Sequence, residues 1–369
     1  MKTIALCYRD HTEPFAGGAV HGFHVVEQLR RLGYRLITSE PKTDSRLERY
    51  PRSPAGMRAL LRDADAIYVR CDARPWDLGL LLLNQATERR PVLTEINAIA
   101  EERLAYGTGP INRARTRVLR GYYHNITRLS AAAVCVSSQL AAFVRDTYPI
   151  ARERVYVAPN GGRAGAARAE PRRGGPFRVV WAGGARWPWQ ALDLVLEGVR
   201  RARRRVPELE LTLYTEAGHD RIPREPGIQL AGQVPHAELP AALARMDAAL
   251  CLYRPMPWSP AGFYNSPLKL FDYLGAGLPV IGSRLGQIAE ILEHGTNGLL
   301  VGDDPDEVAS ALERLASDRG LAARLGAAGR ECLEQSYTWK HTGDRIGAVL
   351  ERLLRSSANE DSWMSQGRH

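Results

Sequence analysis

The sequence lacks paired cysteines, a long apolar run and an obvious set of metal ligands, and each absence excludes a class of protein. The five cysteines are scattered without a Cys-x-x-Cys pair, which argues against a disulfide framework and a structural zinc site. No apolar run approaches the roughly 20 residues that a membrane-spanning helix needs. Only a short apolar run follows Lys2, so we expect a first buried strand, no signal peptide and a cytoplasmic protein.

Metal and cofactor chemistry is also not indicated. The predicted strands are not followed by an Asp-x-Asp pair, and the sequence contains no cluster of His and Cys. We therefore expect a protein that works without a metal and without a bound cofactor.

The length and the charge bound the remaining possibilities. A chain of 369 residues, 44% of them hydrophobic, fits two domains of about 150 residues better than one core. Residues 1–160 hold 24 Lys and Arg against 16 Asp and Glu, whereas residues 161–369 hold 26 against 25. The basic first half indicates an anionic partner, such as a membrane surface, a phosphorylated substrate or nucleic acid. An arginine-rich composition without any partner is the alternative.

Short apolar runs alternate with segments of helical spacing along the chain, which predicts α/β domains with parallel sheets. The predicted strands are 3–8, 34–38, 66–70, 91–97, 132–137, 155–161, 177–184, 210–215, 228–232 and 248–253. The Gly, Ala, Arg and Pro-rich segment 161–176 is predicted to be a linker. We predict Rossmann-like domains at 1–165 and 166–339, with a helix at 340–355 completing the first domain and a disordered tail at 356–369.

In such sheets, ligands bind beyond the carboxyl ends of the strands, so the two domains are expected to face a central cleft. Gly17 and Gly18 follow the first strand and begin a helix, where glycine lets the backbone approach a ligand closely. His21 and His24 come within the next turns of that helix. For both, a catalytic role and a packing role stay open.

The stretch "SPLKLFDYLGAGLPVIG", residues 266–282, places a cation where a helix disfavours it. Ser266 is predicted to cap a helix and Pro267 to take its first position. Lys269 then lies in the first turn, where the helix dipole disfavours a cation by roughly 0.3–1 kcal/mol. A bound phosphate would reverse this effect, and Asp272, one turn further, could accept ribose hydroxyl groups. A surface lysine and a solvated aspartate on an ordinary helix are the alternative.

At this point the chain resembles the retaining glycosyltransferases of family four, which have the GT-B fold. The latter part of their Glu-x7-Glu…G-x-P-V motif is matched by "FDYLGAGLPVIGSRLGQIAEILEHGTNGLLV", with Asp272 at the second acidic position. The first Glu is absent, and Tyr264 stands at its position. "VYVAPNG" resembles the end of the family's first domain, and "VVWAGGARWPWQALDLVLEGV" resembles its Gly-Arg…Lys-Gly segment.

The resemblance implies that an Arg and a Lys bind the donor diphosphate. Arg186 takes the first position, and Gln190 replaces the lysine, so we hypothesise that Lys269 supplies the lost charge. The family's His after strand 91–97 is absent, and Asn97 is the expected sugar or acceptor contact. Glu95 is either part of this site or a core carboxylate paired with an arginine such as Arg70. The residues expected at the donor are Gly17, Gly18, Gly184, Gln190, Val234, Tyr264, Asn265, Ser266, Pro267, Leu268 and Asp272. Arg186, Lys269 and Asn97 are the expected catalytic residues.

The implied activity is metal-independent transfer of a sugar, with retention, from a UDP- or GDP-sugar to an acceptor hydroxyl of a glycan, glycolipid or metabolite. Segment 111–130 interleaves arginines with apolar residues, so it could contact the inner membrane face and reach a lipid-linked acceptor. A solvated helix face over a core stripe is the alternative. A nucleotide-sugar epimerase and a catalytically inactive sugar-nucleotide-binding partner remain rival functions. No nucleic-acid partner is expected, because no recognised binding motif accompanies the charge.

Overall fold

The computed structural model describes residues 1–8, 17–40, 46–72, 74–163, 174–216, 222 and 224–366. The chain divides into two compact units. Unit 1 consists of Met1–Pro159, Pro257–Asn265 and Trp339–His369, and unit 2 consists of Asn160–Met256 and Ser266–Thr338.

The strands of both units are short and mostly buried. They are β1 (Thr3–Cys7), β2 (Arg35–Thr38), β3 (Glu48–Arg49), β4 (Ala66–Arg70), β5 (Val92–Ile96), β6 (Ala132–Cys135), β7 (Val155–Val157), β8 (Phe177–Ala182), β9 (Leu209–Tyr214), β10 (Ile228–Leu230), β11 (Ala248–Cys251), β12 (Val280–Ser283) and β13 (Leu299–Val301). Each strand predicted from the sequence overlaps one of these. The bounds agree to within two residues, except that predicted strand 155–161 ends four residues after β7.

Helices connect the strands. They are α1 (Gly17–Arg31), α2 (Pro54–Asp63), α3 (Pro75–Ala86), α4 (Pro110–Arg128), α5 (Ser138–Thr147), α6 (Leu192–Arg203), α7 (Leu239–Leu243), α8 (Leu268–Gly275), α9 (Gly286–Ile291), α10 (Pro305–Ser317), α11 (Arg319–Ser336) and α12 (Trp339–Gln366). Three short 3₁₀ helices, Ala100–Tyr106, Arg152–Arg154 and Pro188–Gln190, complete the described elements.

Each unit is built on a parallel sheet. The strand order is β3-β2-β1-β4-β5-β6-β7 in unit 1 and β10-β9-β8-β11-β12-β13 in unit 2. All strand pairs given by the register are parallel, for example Ile4 opposite Ala66 in β1 and β4. The order reverses between β1 and β4 in unit 1 and between β8 and β11 in unit 2, which is where such sheets bind ligands. The predicted α/β class with two Rossmann-like domains is confirmed.

A separate apolar core stabilises each unit. In unit 1, Ile4 and Leu6 of β1 pack in one cluster with Ile346 and Leu350 of α12, so the last helix completes the first unit. In unit 2, side chains of β8 such as Trp181 pack with α6 and α10. Burial of these apolar surfaces is the main force that holds each sheet to its helices.

Two predicted boundaries need correction. Residues 257–265 were placed with the second domain, but they belong to unit 1. Two hydrogen bonds hold this segment in unit 1. The Ser137 hydroxyl donates to the Tyr264 carbonyl at 2.5 Å, and the Tyr264 hydroxyl donates to Glu102 at 3.2 Å. The predicted disordered tail from 356 is instead the end of α12, which continues to Gln366. No Gly or Pro interrupts 348–366, so nothing in the covalent chain stops the helix there.

Only part of the predicted linker lies within the described residues. Residues 164–173 lie outside the described residues, whereas 161–163 are packed in unit 2. The Gly162 amide donates to the Tyr337 carbonyl at 2.9 Å. A Cβ atom at Gly162 would lie 2.6 Å from the Phe271 carbonyl oxygen, so this position has room only for glycine.

Candidate functional site

The first group of predicted site residues lies at the carboxyl ends of β8 and β11 in unit 2. Gly183 and Gly184 follow β8 directly, and Tyr253 follows β11 by two residues. Helix α8 connects β11 to β12, so its amino-terminal end lies at this same edge of the sheet. The fold therefore brings a glycine turn and a helix start to the point where the strand order reverses.

Lys269 is the cation of this edge. It is only 8% exposed, and its Nζ donates to the Gln190 Oε1 at 2.7 Å. The same atom lies 4.4 Å from the Trp181 ring centroid and 5.0 Å from that of Tyr253. Ring faces of this kind attract a cation. Lys269 thus contacts Gln190, which stands where the family has a lysine. Lys269 was hypothesised to supply the charge of that lysine.

Gly183 contacts this pair more closely than the predicted Gly184 does. A Cβ atom at Gly183 would lie 2.1 Å from Gln190 Oε1 and 2.7 Å from Lys269 Nζ. A Cβ atom at Gly184 would meet the Trp187 ring at 2.5 Å instead. The absence of a side chain at 183 therefore leaves room for the amino group, a contact that the sequence alone did not indicate.

Burial changes the protonation of Lys269. Loss of hydration disfavours the charged ammonium and lowers the pKa of Lys269 from 10.5 to about 7. The two aromatic faces act in the opposite direction, because they stabilise the cation. The side chain is thus poised to gain or lose a proton near neutral pH. An anion bound beside it would favour the charged form.

The start of α8 differs from the prediction. Ser266 does not cap the helix; Pro267 is the capping residue, and it makes no side-chain capping hydrogen bond. The Ser266 hydroxyl instead accepts the Asn160 amide at 3.0 Å, and the Asn160 Nδ2 donates to the Ser266 carbonyl at 2.7 Å. Leu268 begins the helix and Lys269 is its second residue. Within the described part of the chain, the first-turn amides, which no helix can satisfy internally, therefore lack a side-chain cap.

Asp272 lies one turn further along α8. Its Oδ1 is 3.3 Å from the His236 Nε2, and both side chains are largely buried at 18% and 16% exposure. His236 was not singled out by the sequence, and Val234, which was, stands two residues before it in the same half-buried loop. Carboxylate and imidazole can each accept a hydrogen bond, so this pair is a candidate contact for hydroxyl groups.

Arg186 is on the outside of this group. Its side chain is 68% exposed, with Nε 3.7 Å from Glu216 and the guanidinium 4.8 Å from the Trp187 ring. Glu216 in turn accepts hydrogen bonds from the Thr215 hydroxyl and the Ala185 amide. Arg186 is therefore an exposed side chain near the Gly183-Gly184 turn.

The second group of predicted residues lies in unit 1 around Glu95, at the carboxyl end of β5. Glu95 Oε1 accepts from the Tyr8 hydroxyl and from the Asn97 Nδ2, both at 2.7 Å, and lies 2.9 Å from the His21 Nε2. Oε2 accepts from the Tyr68 hydroxyl. Burial raises the pKa of Glu95, but His21, Arg70 and the Tyr68 hydroxyl together outweigh it and bring the pKa to about 2.

Glu95 is thus a buried carboxylate, as one of the two interpretations held, and His21 is a close contact. Arg70 lowers the Glu95 pKa less strongly, and its Nε lies 3.2 Å from Asp72. His24 stacks on Trp339 with ring centroids 4.5 Å apart and contacts Glu27 at 2.8 Å. These contacts favour packing roles for both histidines.

Asn97 has one satisfied and one unsatisfied end. Its Nδ2 donates to Glu95, whereas its Oδ1 is buried and accepts no hydrogen bond from the described residues. A buried acceptor without a donor is unfavourable, and such groups often mark a ligand position. Asn97 is therefore a candidate contact for a substrate hydroxyl group.

The remaining predicted residues are placed as follows. Helix α1 begins at Gly17 as predicted, and Gly18 is its second residue. Tyr264 and Asn265 belong to unit 1, not to the unit of Lys269, and the Tyr264 side chain is buried with its hydroxyl on Glu102. That hydrogen bond occupies the tyrosine hydroxyl that was expected near the donor.

Among the residues that the structure describes, no three His, Cys, Asp or Glu side chains form a group suited to a metal ion. Within the same residues, none of the helices combines the length and apolar character that crossing a bilayer requires.

Solved structures with the same fold define the class of protein. HepE from Anabaena in complex with UDP aligns over 95% of this chain and 100% of its own, with a TM-score of 0.68 and 17% identity. Sucrose-phosphate synthase from Thermosynechococcus elongatus aligns over 96% of this chain and 100% of its own, with a TM-score of 0.67 and 16% identity. The fold is that of the GT-B glycosyltransferases.

Sequence families then place the chain within that class. Residues 10–161 match Glycosyltransferase Family 4, and residues 176–318 match Glycosyl transferases group 1. The chain therefore belongs to the glycosyltransferases of family 4 type.

Curated relatives match only part of the chain. A GDP-mannose-dependent alpha-(1-6)-phosphatidylinositol monomannoside mannosyltransferase of Mycobacterium tuberculosis is 34% identical over 131 residues, 35% of this chain and 32% of the relative. Its namesake from Mycolicibacterium smegmatis is 26% identical over 174 residues, 44% of this chain and 45% of the relative. The matched segments thus span less than half the length of these relatives.

Proposed function

We propose that this protein transfers a sugar from a nucleoside diphosphate donor to an acceptor hydroxyl group, with retention of the anomeric configuration and without a metal. The observation that carries the proposal is the buried Lys269 amino group beside Gly183, at the reversal point of the unit 2 sheet. A buried cation at the mouth of a glycine turn is suited to a diphosphate.

The donor chemistry is assigned to unit 2. Negative charge develops on the diphosphate as the bond to the sugar breaks, and groups already aimed at that charge lower the barrier. Lys269 and the uncapped amides at the start of α8 are such groups, and Arg186 adds a cation that can swing in from the surface. These residues supply the positive charge that a metal ion provides in other enzymes, which is why we propose metal independence.

Asp272 is assigned to the ribose. Its carboxylate can accept two hydroxyl hydrogens, and His236 holds one of its oxygens in place. Two kinds of donor are candidates, a GDP-sugar and a UDP-sugar. The named mycobacterial relatives are GDP-mannose-dependent, and the HepE structures hold UDP or UDP-glucose.

The acceptor is assigned to unit 1. The unsatisfied Oδ1 of Asn97 can accept a hydrogen bond from the acceptor or the sugar. The buried Glu95, fixed by Tyr8, Tyr68 and His21, holds Asn97 in position. We also propose that the enzyme acts in the cytoplasm, where α4 contacts the inner membrane face and brings a lipid-linked acceptor within reach.

The test is a transfer assay with the purified chain. UDP- and GDP-sugars are offered with and without a panel of glycan, glycolipid and small-molecule acceptors, in EDTA, and the product anomer is assigned by NMR. Acceptor-dependent release of the nucleotide with retention supports the proposal. Conversion of the donor without an acceptor would indicate the epimerase, and donor binding without turnover over the whole panel would indicate an inactive binding partner.

A further inference from the structure

Unit 1 contains a second candidate site on the opposite edge of its sheet. A cavity of about 630 Å³ opens where β5, β6 and β7 begin, whereas Asn97 follows the end of β5. Among the residues that line it, none is acidic and six are arginines, namely Arg89, Arg90, Arg128, Arg154, Arg352 and Arg355. We call these six residues and their cavity the arginine pocket.

The arginines come from separate parts of the chain. They lie in the turn before β5, at the end of α4, in the 3₁₀ helix Arg152–Arg154 and on α12. No charge run in the sequence produces this cluster, because only the fold brings the four segments together. Mutual repulsion of six guanidinium groups is unfavourable unless an anion lies between them.

Acidic partners within the protein are few. Arg90 Nη2 lies 3.5 Å from Glu88, and Arg355 Nη2 lies 3.7 Å from Glu351. Arg89, Arg128 and Arg154 have no ion-pair partner among the described residues. The carboxyl ends of α3 and α4 also face this region, but each helix end contributes only about half a negative charge. The pocket therefore keeps a large positive excess.

The turn that carries two of the arginines is rigidly built. Arg89 has a φ of 53°, a left-handed conformation that residues other than glycine rarely adopt. The fully buried Asn84 holds this turn, because its Oδ1 accepts the Arg90 amide and its Nδ2 donates to the Arg90 carbonyl, both at 2.9 Å. In addition, Arg90 Nε is buried without an acceptor among the described residues. An unfavourable backbone and an unsatisfied donor are features that a bound ligand can compensate.

We infer that the arginine pocket binds an anion that carries two or more phosphate charges. Guanidinium groups form paired hydrogen bonds with phosphate oxygens, and a cavity of this volume accommodates a small ligand. The phosphates come either from a soluble oligophosphate or from the headgroups of anionic lipids. The site goes beyond the proposed transfer reaction and shares no residue with the proposed donor and acceptor sites, although Arg128 is the last residue of α4.

The experiment is calorimetric titration of the full chain with inorganic triphosphate at fixed ionic strength. Arg128→Gln/Arg154→Gln removes two charges from the pocket. Arg58→Gln/Arg324→Gln removes the same number from exposed helix positions outside it, and Lys269→Ala disables the proposed donor diphosphate site. We expect the pocket variant to bind triphosphate at least about tenfold more weakly, since each charged hydrogen bond contributes a factor of that order. The other two variants should bind triphosphate in the arginine pocket with the affinity of the wild type.

The controls make failure visible. Equal weakening in the pocket and control variants would show a response to net charge and would overturn the inference, as would complete loss of binding in Lys269→Ala alone. Circular dichroism and thermal melting check that each variant is folded, and Arg128→Lys/Arg154→Lys should restore part of the affinity.

A vesicle arm separates the two phosphate sources. Flotation with phosphatidylcholine vesicles, with and without phosphatidylglycerol, is compared for the wild type and the pocket variant. Loss of phosphatidylglycerol binding in the pocket variant assigns the pocket to lipid headgroups, and unchanged vesicle binding beside lost triphosphate binding assigns it to a soluble ligand. If the wild type binds neither triphosphate nor these vesicles through the pocket, the inference fails.

Discussion

A lysine that is 8% exposed has lost most of its hydration, so its charged form depends on the groups around it. Around Lys269 these groups are one amide oxygen and two aromatic faces, without a carboxylate partner in the described residues. Such a cation is only partly compensated. A diphosphate would complete its surroundings, which is why the donor assignment begins at this residue.

Removing the amino group tests that role directly. Lys269→Ala should reduce turnover by roughly 10²-fold or more, because it removes a group aimed at the leaving charge. Asp272→Ala should instead raise the dissociation constant of the nucleoside diphosphate. Steady-state kinetics and titration separate the two effects, and unchanged turnover in Lys269→Ala would return this lysine to a structural role.

The pH dependence of donor binding follows from the pKa of Lys269. Its value of about 7 in the free protein should rise when a phosphate binds. Below pH 7 the lysine already carries its proton, so this group does not limit binding. Above pH 7, binding must take up a proton, and the affinity should fall by up to about tenfold per pH unit. Titration in buffers of different ionisation enthalpy measures the uptake, which Lys269→Met should abolish.

A substitution at Gly183 can separate an effect on turnover from an effect on the stability of the fold. In Gly183→Ala the new Cβ displaces the flexible ends of Gln190 and Lys269, not the backbone. We expect a small change in Tm and a loss of turnover of roughly tenfold or more. Gly79→Ala is the matched control, since no atom lies within 4 Å of its Cβ position on α3. A strong loss of Tm in Gly183→Ala with normal turnover of the folded fraction would contradict the role of this glycine.

At the scale of the element, α8 shows what the sequence can predict. Its helical pattern was predicted correctly, because this pattern depends on local spacing. The Ser266 cap was wrong, because Asn160, which is distant in sequence, takes the serine hydroxyl. The aromatic faces under Lys269 come from β8 and from the end of β11, so no local pattern could indicate them.

Helix α4 is the element proposed to meet the membrane. Ile111 and Val118 are 68% and 73% exposed, and Arg113 and Arg117 are exposed beside them. Each basic residue near an anionic surface contributes about 1 kcal/mol. Arg113→Gln/Arg117→Gln should therefore weaken binding to phosphatidylglycerol vesicles by about tenfold or more, with Arg58→Gln/Arg324→Gln as the charge-matched control. Equal binding of all three proteins would assign α4 to the solvated-face interpretation.

For the whole molecule, the sequence predicted two parallel-sheet units correctly, because alternating strands and helices allow few other arrangements. It assigned residues 257–265 to the wrong unit, because hydrogen bonds with Ser137 and Glu102 hold this segment in unit 1. It also missed the arginine pocket, whose members are far apart in the chain. The proposed function assigns the donor to unit 2 and the acceptor to unit 1.

The most direct test of the account is the thermal stability of the full chain with saturating UDP, GDP or ADP, compared with Lys269→Ala. A ligand that binds only the folded protein stabilises it by about 2.7 kcal/mol at one hundred times its dissociation constant. We predict that UDP or GDP raises the Tm of the wild type by several degrees and that the increase largely disappears in Lys269→Ala. No increase with any of the three nucleotides, or an equal increase in the variant, would contradict the donor site proposed at Lys269.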